Sequence, residues 1–286
     1  MNIFRLFLLI FLCASLLVVF DQFLRFKAHK EEVLSLKDTV ENSLKDAKGT
    51  YGIVIKNFKT EQSYYLNDQK LFETGSLYKL WIMATVYKQI QDGKLTEDSQ
   101  LSEDIAGLNN EFNLSPDEAE LTEGVVNFTI ASALTQMISI SHNYAALALT
   151  KKIKLSSVAA FLKENGLNES SVGTDGDTPK STPSDITLFY EKLYQGKLVN
   201  EQYSAAMIDL LKGQQLNDGL PKYLPEGTNV AHKTGDVGWF KHDAGIVYTE
   251  KGDYIIVAMS ESDFPAGARE RSALLSKAIY DFFQGN

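Results

Sequence analysis

The segment Ser76-Leu77-Tyr78-Lys79 sets a hydroxyl three residues ahead of an amine, so a helical turn would project both from one face. Gly75 breaks the chain just before it. Ser76 would then sit at a helix start, where backbone N–H groups are free and the dipole favours an oxyanion. That is the layout of an activated serine, provided burial or a second cation strips the amine of its charge. Taken alone, the four residues also describe a helix-start serine beside a surface lysine, and Ser-x-x-Lys arises roughly once by chance in such a chain. Ser141-His142-Asn143 falls on a connection between two helical stretches. Its hydroxyl could pass a proton to a leaving nitrogen, and the Asn143 amide could orient Lys79 or a substrate amide. By itself the triplet is an ordinary turn. Lys233-Thr234-Gly235 ends an apolar strand. A cation and a hydroxyl there suit a carboxylate, and Gly235 permits close approach of an extended substrate. The backbone N–H of Asp236 would join that of Ser76 as a pair of oxyanion donors.

These residues need elements to hold them. Val33, Leu36, Val40 and Leu44 form one apolar stripe, predicting a helix over 28–47. Strands are predicted at Tyr51–Lys56 and Ser63–Leu66. The stretch Leu77–Ile90 is apolar on nearly all faces and reads as a helix buried at a domain centre. Residues 97–126 are acidic and read as loop. Helices are expected at Thr129–Met137, Tyr144–Ile153, Ser156–Asn165, Ser184–Tyr194 and Glu201–Leu211, and strands at Asn229–Thr234, Ala244–Thr249 and Tyr254–Ser260. A last amphipathic helix carries Leu274, Leu275, Ala278, Ile279, Phe282 and Phe283. This order predicts an α/β (α+β) fold: one antiparallel five-stranded sheet drawn from both chain ends (about 28–72 and 212–286), covered by the terminal helices, with an all-α lobe (about 73–211) inserted between.

The motifs and their flanks resemble the class A β-lactamase and penicillin-binding serine hydrolase family. The resemblance rests on Phe72-Glu73-Thr74-Gly75-Ser76-Leu77-Tyr78-Lys79, on Met137-Ile138-Ser139-Ile140-Ser141-His142-Asn143-Tyr144-Ala145-Ala146, on Ser181-Thr182-Pro183-Ser184-Asp185 and on Asp218-Gly219-Leu220-Pro221 ahead of Lys233. It covers about residues 30–286. It implies acylation of Ser76, Lys79 as general base or proton relay, Ser141 as proton shuttle, and Lys233 and Thr234 on a substrate carboxylate. The substrate would be a β-lactam or a cell-wall peptide ending in D-Ala-D-Ala, with no cofactor.

The chain departs from that family twice. The family's water-activating loop glutamate has no counterpart in Val172–Lys180; Glu164 and Glu169 lie upstream, and Asp175 and Asp177 read either as substitutes or as loop-turn carboxylates. Acylation survives that loss, whereas fast deacylation does not follow. This tilts the expectation towards D,D-peptidase-like behaviour or slow β-lactam turnover. His142 stands where the family has Asp. His142 and His232 read either as titrating groups flanking one cleft or as structural histidines bonded to backbone.

Composition narrows the partners. A net charge of -9 provides no basic face for nucleic acid. Cys13 is the single cysteine, and the four histidines lack paired metal-ligand spacing, so no metal is expected. Leu6–Phe20 is an unbroken apolar run, which from Ile3 to Leu24, with Arg5 snorkelling, approaches the roughly 20 residues of a membrane span. Residues 1–27 are read as an uncleaved signal anchor for residues 28–286 outside the cell membrane, with cleavage and secretion, or lipidation at Cys13, as alternatives. A competing reading is a catalytically idle domain that binds cell-wall peptide or β-lactam as a sensor, though a pure binder needs neither nucleophile nor base.

Overall fold

The computed structural model describes residues 34–173 and 177–285. The expected N-terminal anchor and Asp175 lie outside them. Among the described residues no helix is long and apolar enough to cross a membrane.

The long strands of the sheet are near-continuous buried runs, as a sheet covered on both faces requires. Strands β1 (Thr50–Asn57) and β2 (Ser63–Leu66) form an antiparallel pair near the N-terminal end, and β7 (Val230–Val237), β8 (Phe240–Val247) and β9 (Tyr254–Glu261) come from the C-terminal end. The order is β2-β1-β9-β8-β7, all antiparallel, which leaves β7 on an edge. The pleat sorts β9 cleanly: Tyr254, Ile256 and Ala258 face one hydrophobic cluster, while Ile255, Val257 and Met259 face another. The first cluster is closed by helices α1 (Leu36–Ser43) and α9 (Pro265–Gln284), which pack on each other through Leu36, Val40, Leu275 and Ile279. Helix α1 starts at Ser35, whose hydroxyl accepts from the Asp38 N–H in a reciprocal capping box.

The second cluster joins the sheet to the inserted lobe. At its centre is α2 (Lys79–Gln91), buried on every side from Lys79 to Tyr87, as its unbroken apolar sequence requires. Around it lie α3 (Ile105–Glu111), α4 (Ile130–Ser139), α5 (Asn143–Ile153), α6 (Leu155–Glu164), α7 (Pro183–Tyr194) and α8 (Glu201–Lys212). Local chemistry sets several starts: Thr129 caps α4, Thr182 followed by Pro183 opens α7, and Asn200 caps α8.

The lobe is not wholly helical, and residues 97–126 are not simply loop. They contain α3, β4 (Gln100–Asp104) and the start of β5 (Val125–Thr129), and the two strands pair antiparallel from Gln100↔Thr129 to Asp104↔Val125. A short ladder of β3 (Phe72–Glu73) with β6 (Lys180–Ser181) ties the lead-in to Ser76 to the loop ahead of α7. Strand β8 begins at Phe240, four residues before the sequence predicts, and β7 runs on to Val237.

Candidate active site

Four elements deliver the three motifs to one place. Ser76 lies in a 3-10 turn, Gly75–Tyr78, that feeds directly into α2 at Lys79. The turn packs against the end of β7 so tightly that neither backbone tolerates a side chain. A Cβ on Gly75, whose φ is +48°, would lie 2.6 Å from the Asp236 nitrogen, and a Cβ on Gly235 would lie 2.4 Å from the Thr74 carbonyl oxygen. Two glycines therefore bring the nucleophile turn and the Asp236 backbone into contact.

Lys79 is fully buried. Its Nζ contacts the Ser141 carbonyl oxygen at 2.6 Å, Ser141 Oγ at 3.1 Å and Asn143 Oδ1 at 2.6 Å. Burial first, then the nearby Lys233, hold its pKa well below that of a free lysine, while Glu120 opposes them. All three partners can accept from the amine, so an ammonium is served by three N–H bonds. When the proton is lost, two N–H bonds still donate to the Ser141 carbonyl and Asn143 Oδ1 and the lone pair can take the Ser141 hydroxyl proton. The Ser76 hydroxyl makes no hydrogen bond among the described residues, so the amine, one turn away in sequence, is held by the second motif and not by the serine.

Ser141 occupies the connection between α4 and α5 at a φ of +58°, a left-handed conformation uncommon for a residue with a side chain. Its Oγ also accepts from Lys233 Nζ at 3.0 Å, so one hydroxyl bridges two buried lysines. Lys233, fully buried on β7, donates to the Thr234 carbonyl as well, and burial lowers its pKa to about 8 despite Asp243 and Asp236 nearby. Thr234 is buried beside a small cavity that Gly219, Asp236, Asp243 and Arg269 also line.

The two histidines part company. His142 sits at the first end of α5, where its Nδ1 accepts from the Ala145 N–H at 3.2 Å and its ring meets Phe128 edge-on. Burial depresses its pKa, with Glu120 raising and Lys79 lowering it. His232 does not line the cleft opposite it. Consecutive residues of β7 point to opposite faces, so Lys233 turns to the lobe and His232 away from it. The His232 ring is buried between Asp243 Oδ1 at 2.8 Å and Asn217 Oδ1 at 3.0 Å. Asp243 Oδ2 in turn accepts from the Leu220 N–H, which fastens the 217–220 segment to the sheet.

Of the carboxylates weighed as water activators, Asp177 is exposed and 4.0 Å from Lys180, and Glu164 and Glu169 are exposed at the end of α6 and beyond. None of the three bonds to the Lys79 cluster. The carboxylate that does approach is Glu120, whose Oε1 accepts from Asn143 Nδ2 at 2.6 Å. Nothing in its sequence spacing announces it. Arg269, in the first turns of α9, donates to both Asp218 oxygens at 2.9 Å and also to Asp236, so the residue bearing the second expected oxyanion donor is clamped from behind. The arrangement can thus hold a neutral base, a shared hydroxyl and a second cation around one serine-bearing turn.

Comparison with known proteins identifies the family and the fold. The profile of the beta-lactamase enzyme family matches residues 35–283. The chain is 25% identical over 286 residues to the β-lactamase VEB-1 of Pseudomonas aeruginosa, covering 93% of this chain and 94% of that one. It is 26% identical over 215 residues to the β-lactamase FAR-1 of Nocardia farcinica, covering 68% of each. Among solved structures, a β-lactamase from Sphaerobacter thermophilus superposes with a TM-score of 0.76 at 21% identity, over 88% of this chain and 97% of that one. A PBP-A variant, solved as an acyl-enzyme complex with penicillin-G, also superposes with a TM-score of 0.76 at 21% identity, over 88% and 96%. At such identity the structures establish the fold.

Proposed function

The chain belongs to the beta-lactamase enzyme family, and from that premise we propose that it is a serine acyl-hydrolase that acylates Ser76 with β-lactams or with peptides ending in D-Ala-D-Ala. The observation that carries this reading is the buried Lys79, depleted of charge and joined through Ser141 Oγ to a second buried lysine. Substrate arrives with its carboxylate towards Lys233 and Thr234. Neutral Lys79 takes the Ser76 proton, the Ser76 oxygen bonds to the amide carbon, and the carbonyl oxygen becomes an anion facing the N–H groups of Ser76 and Asp236. As the C–N bond breaks, the nitrogen takes the Ser141 proton, and Ser141 recovers one from Lys79, which returns to the neutral amine. The proton count closes with the acyl group on Ser76.

Release of that group needs an activated water. Among the described residues Glu164, Glu169 and Asp177 stand apart from the cluster, and this reading carries slow deacylation. With a chromogenic cephalosporin we expect a burst of one product per protein followed by a slow steady rate, and no burst from Ser76→Ala. Release of D-alanine from a D-Ala-D-Ala peptide at a rate above that steady rate would assign the peptidase activity. Fast linear hydrolysis without a burst would overturn slow deacylation alone, and a wild-type protein showing no cephalosporin turnover, no burst and no D-alanine release would refute the reading. We also propose that residues 1–27 tether the domain on the outer side of the cell membrane, supported by the apolar run Leu6–Phe20. Recovery of the full chain in the soluble fraction, with its N-terminus intact, would contradict that.

A further inference from the structure

Asn143 stands between a lysine and a glutamate. Its Oδ1 contacts Lys79 Nζ at 2.6 Å and its Nδ2 donates to Glu120 Oε1 at 2.6 Å. Two N–H donors of the amide cannot serve the amine's own N–H, and an ionised carboxylate cannot donate, so these partners leave the amide one orientation. Glu120 is exposed, yet its position is built from within. The neighbouring Leu121 N–H donates to Tyr144 Oη at 3.0 Å, and the Leu121 carbonyl accepts from Tyr144 Oη at 2.6 Å and from Asn109 Nδ2 at 2.8 Å. Tyr144 and Asn109 are buried, and Tyr144 directly follows Asn143. One buried hydrogen-bond network therefore fixes both the carboxylate and the amide it meets.

We propose that Glu120 is a positioning residue for acylation, locking the Asn143 amide onto Lys79 and placing a negative charge beside the amine. The charged and titratable groups facing Lys79 come from three elements: Lys233 from β7, His142 at the start of α5, and Glu120 from the segment ahead of β5. Burial, and then Lys233, push the ammonium to lose its proton, and Glu120 resists. The site thus contains a carboxylate that tempers its own base. Removing that charge makes Lys79 titrate lower and enlarges the neutral, reactive fraction in acid.

Two variants separate charge from geometry. Glu120→Gln keeps an oxygen acceptor for Asn143 and removes the charge, whereas Glu120→Ala removes both. The Lys79 signal, followed against pH by NMR of lysine labelled at Cε and assigned with Lys79→Arg, reads the titration without any substrate. Because Glu120 is exposed, we expect the midpoint in both variants to fall by roughly 0.5 to 1 pH unit. The inference about rate rests on acylation of Ser76. Below the wild-type midpoint, Glu120→Gln should acylate about 3- to 10-fold faster with penicillin, as the neutral fraction grows. Its high-pH plateau should match wild type, and that of Glu120→Ala should be lower. An unchanged Lys79 midpoint in both variants would overturn the inference, as would identical plateaus in all three proteins. A wild-type protein that forms no penicillin adduct would refute the acylation reading instead, and the Lys79 titration would still decide the role of Glu120.

Discussion

Replacing Lys233 by Met should make the protein more stable near neutral pH. Lys233 is fully buried, and its pKa falls from 10.5 to about 8. That drop corresponds to about 3 kcal/mol spent on holding the ammonium inside the fold wherever both folded and unfolded chains carry it, that is, below pH 8. Met fills a similar volume without charge. It also leaves Ser141 Oγ and the Thr234 carbonyl without this donor, each worth about 1 kcal/mol. The balance is a gain of about 1 kcal/mol at pH 7. The pH dependence separates this from a packing effect. Between pH 8 and 10 the unfolded chain binds the Lys233 proton that the folded chain has released, so Lys233 adds stability with rising pH across that window, while buried tyrosines such as Tyr78, Tyr87 and Tyr194, whose pKa values burial raises, work the other way as pH nears 10. Lys233→Met lacks the Lys233 contribution and keeps those of Lys79 and the tyrosines, so its advantage over wild type should shrink steadily from pH 8 to 10. Urea denaturation at pH 7, 8, 9 and 10 measures both. A variant less stable than wild type at pH 7 with an unaltered slope from 8 to 10 would refute the reasoning.

Two further perturbations probe other joints. Burial lowers the pKa of His242 from 6.5 to about 4, with its Nε2 on the Glu73 carbonyl and its Nδ1 accepting the Ser260 N–H. The folded chain therefore binds fewer protons between those values, and stability should fall by up to about 3 kcal/mol as pH drops from 6.5 to 4. His242→Gln should reduce that loss in acid-range urea melts, and an identical acid slope would count against it. Gly235→Ala would place a methyl 2.4 Å from the Thr74 carbonyl oxygen. We expect a loss of about 1–3 kcal/mol by thermal or urea unfolding together with loss of acylation, and wild-type values for both would show that the turn and β7 do not meet as described.

Much of the scaffold was legible because burial imposes periods. Short apolar runs bounded by turn residues marked β1, β7 and β9, alternation marked β2, and the apolar run after Lys79 marked the central helix. The failures lie where polar residues serve the interior. Strand β8 starts early because Lys241, His242 and Asp243 look like loop, although His242 and Asp243 are buried by bonds to Glu73, Ser260, His232 and Leu220. The β4–β5 pair hid in an acidic stretch because only Leu101 and Phe128 are buried in it. His232 could have been placed from sequence, since a residue adjacent to Lys233 in a strand must face the other way. Glu120 could not. Its link to Asn143 depends on Tyr144 and Asn109 meeting Leu121, a contact that no spacing encodes.

The central claim is that the Ser76 hydroxyl is made nucleophilic by an amine kept neutral in the interior. Intact-mass spectrometry after mixing with penicillin, followed by peptide mapping, tests it most directly. The expected result is one penicilloyl group on the peptide containing Ser76, absent from Ser76→Ala and from Lys79→Met near neutral pH. An adduct on another residue, or one that forms as fast without Lys79, would contradict the account.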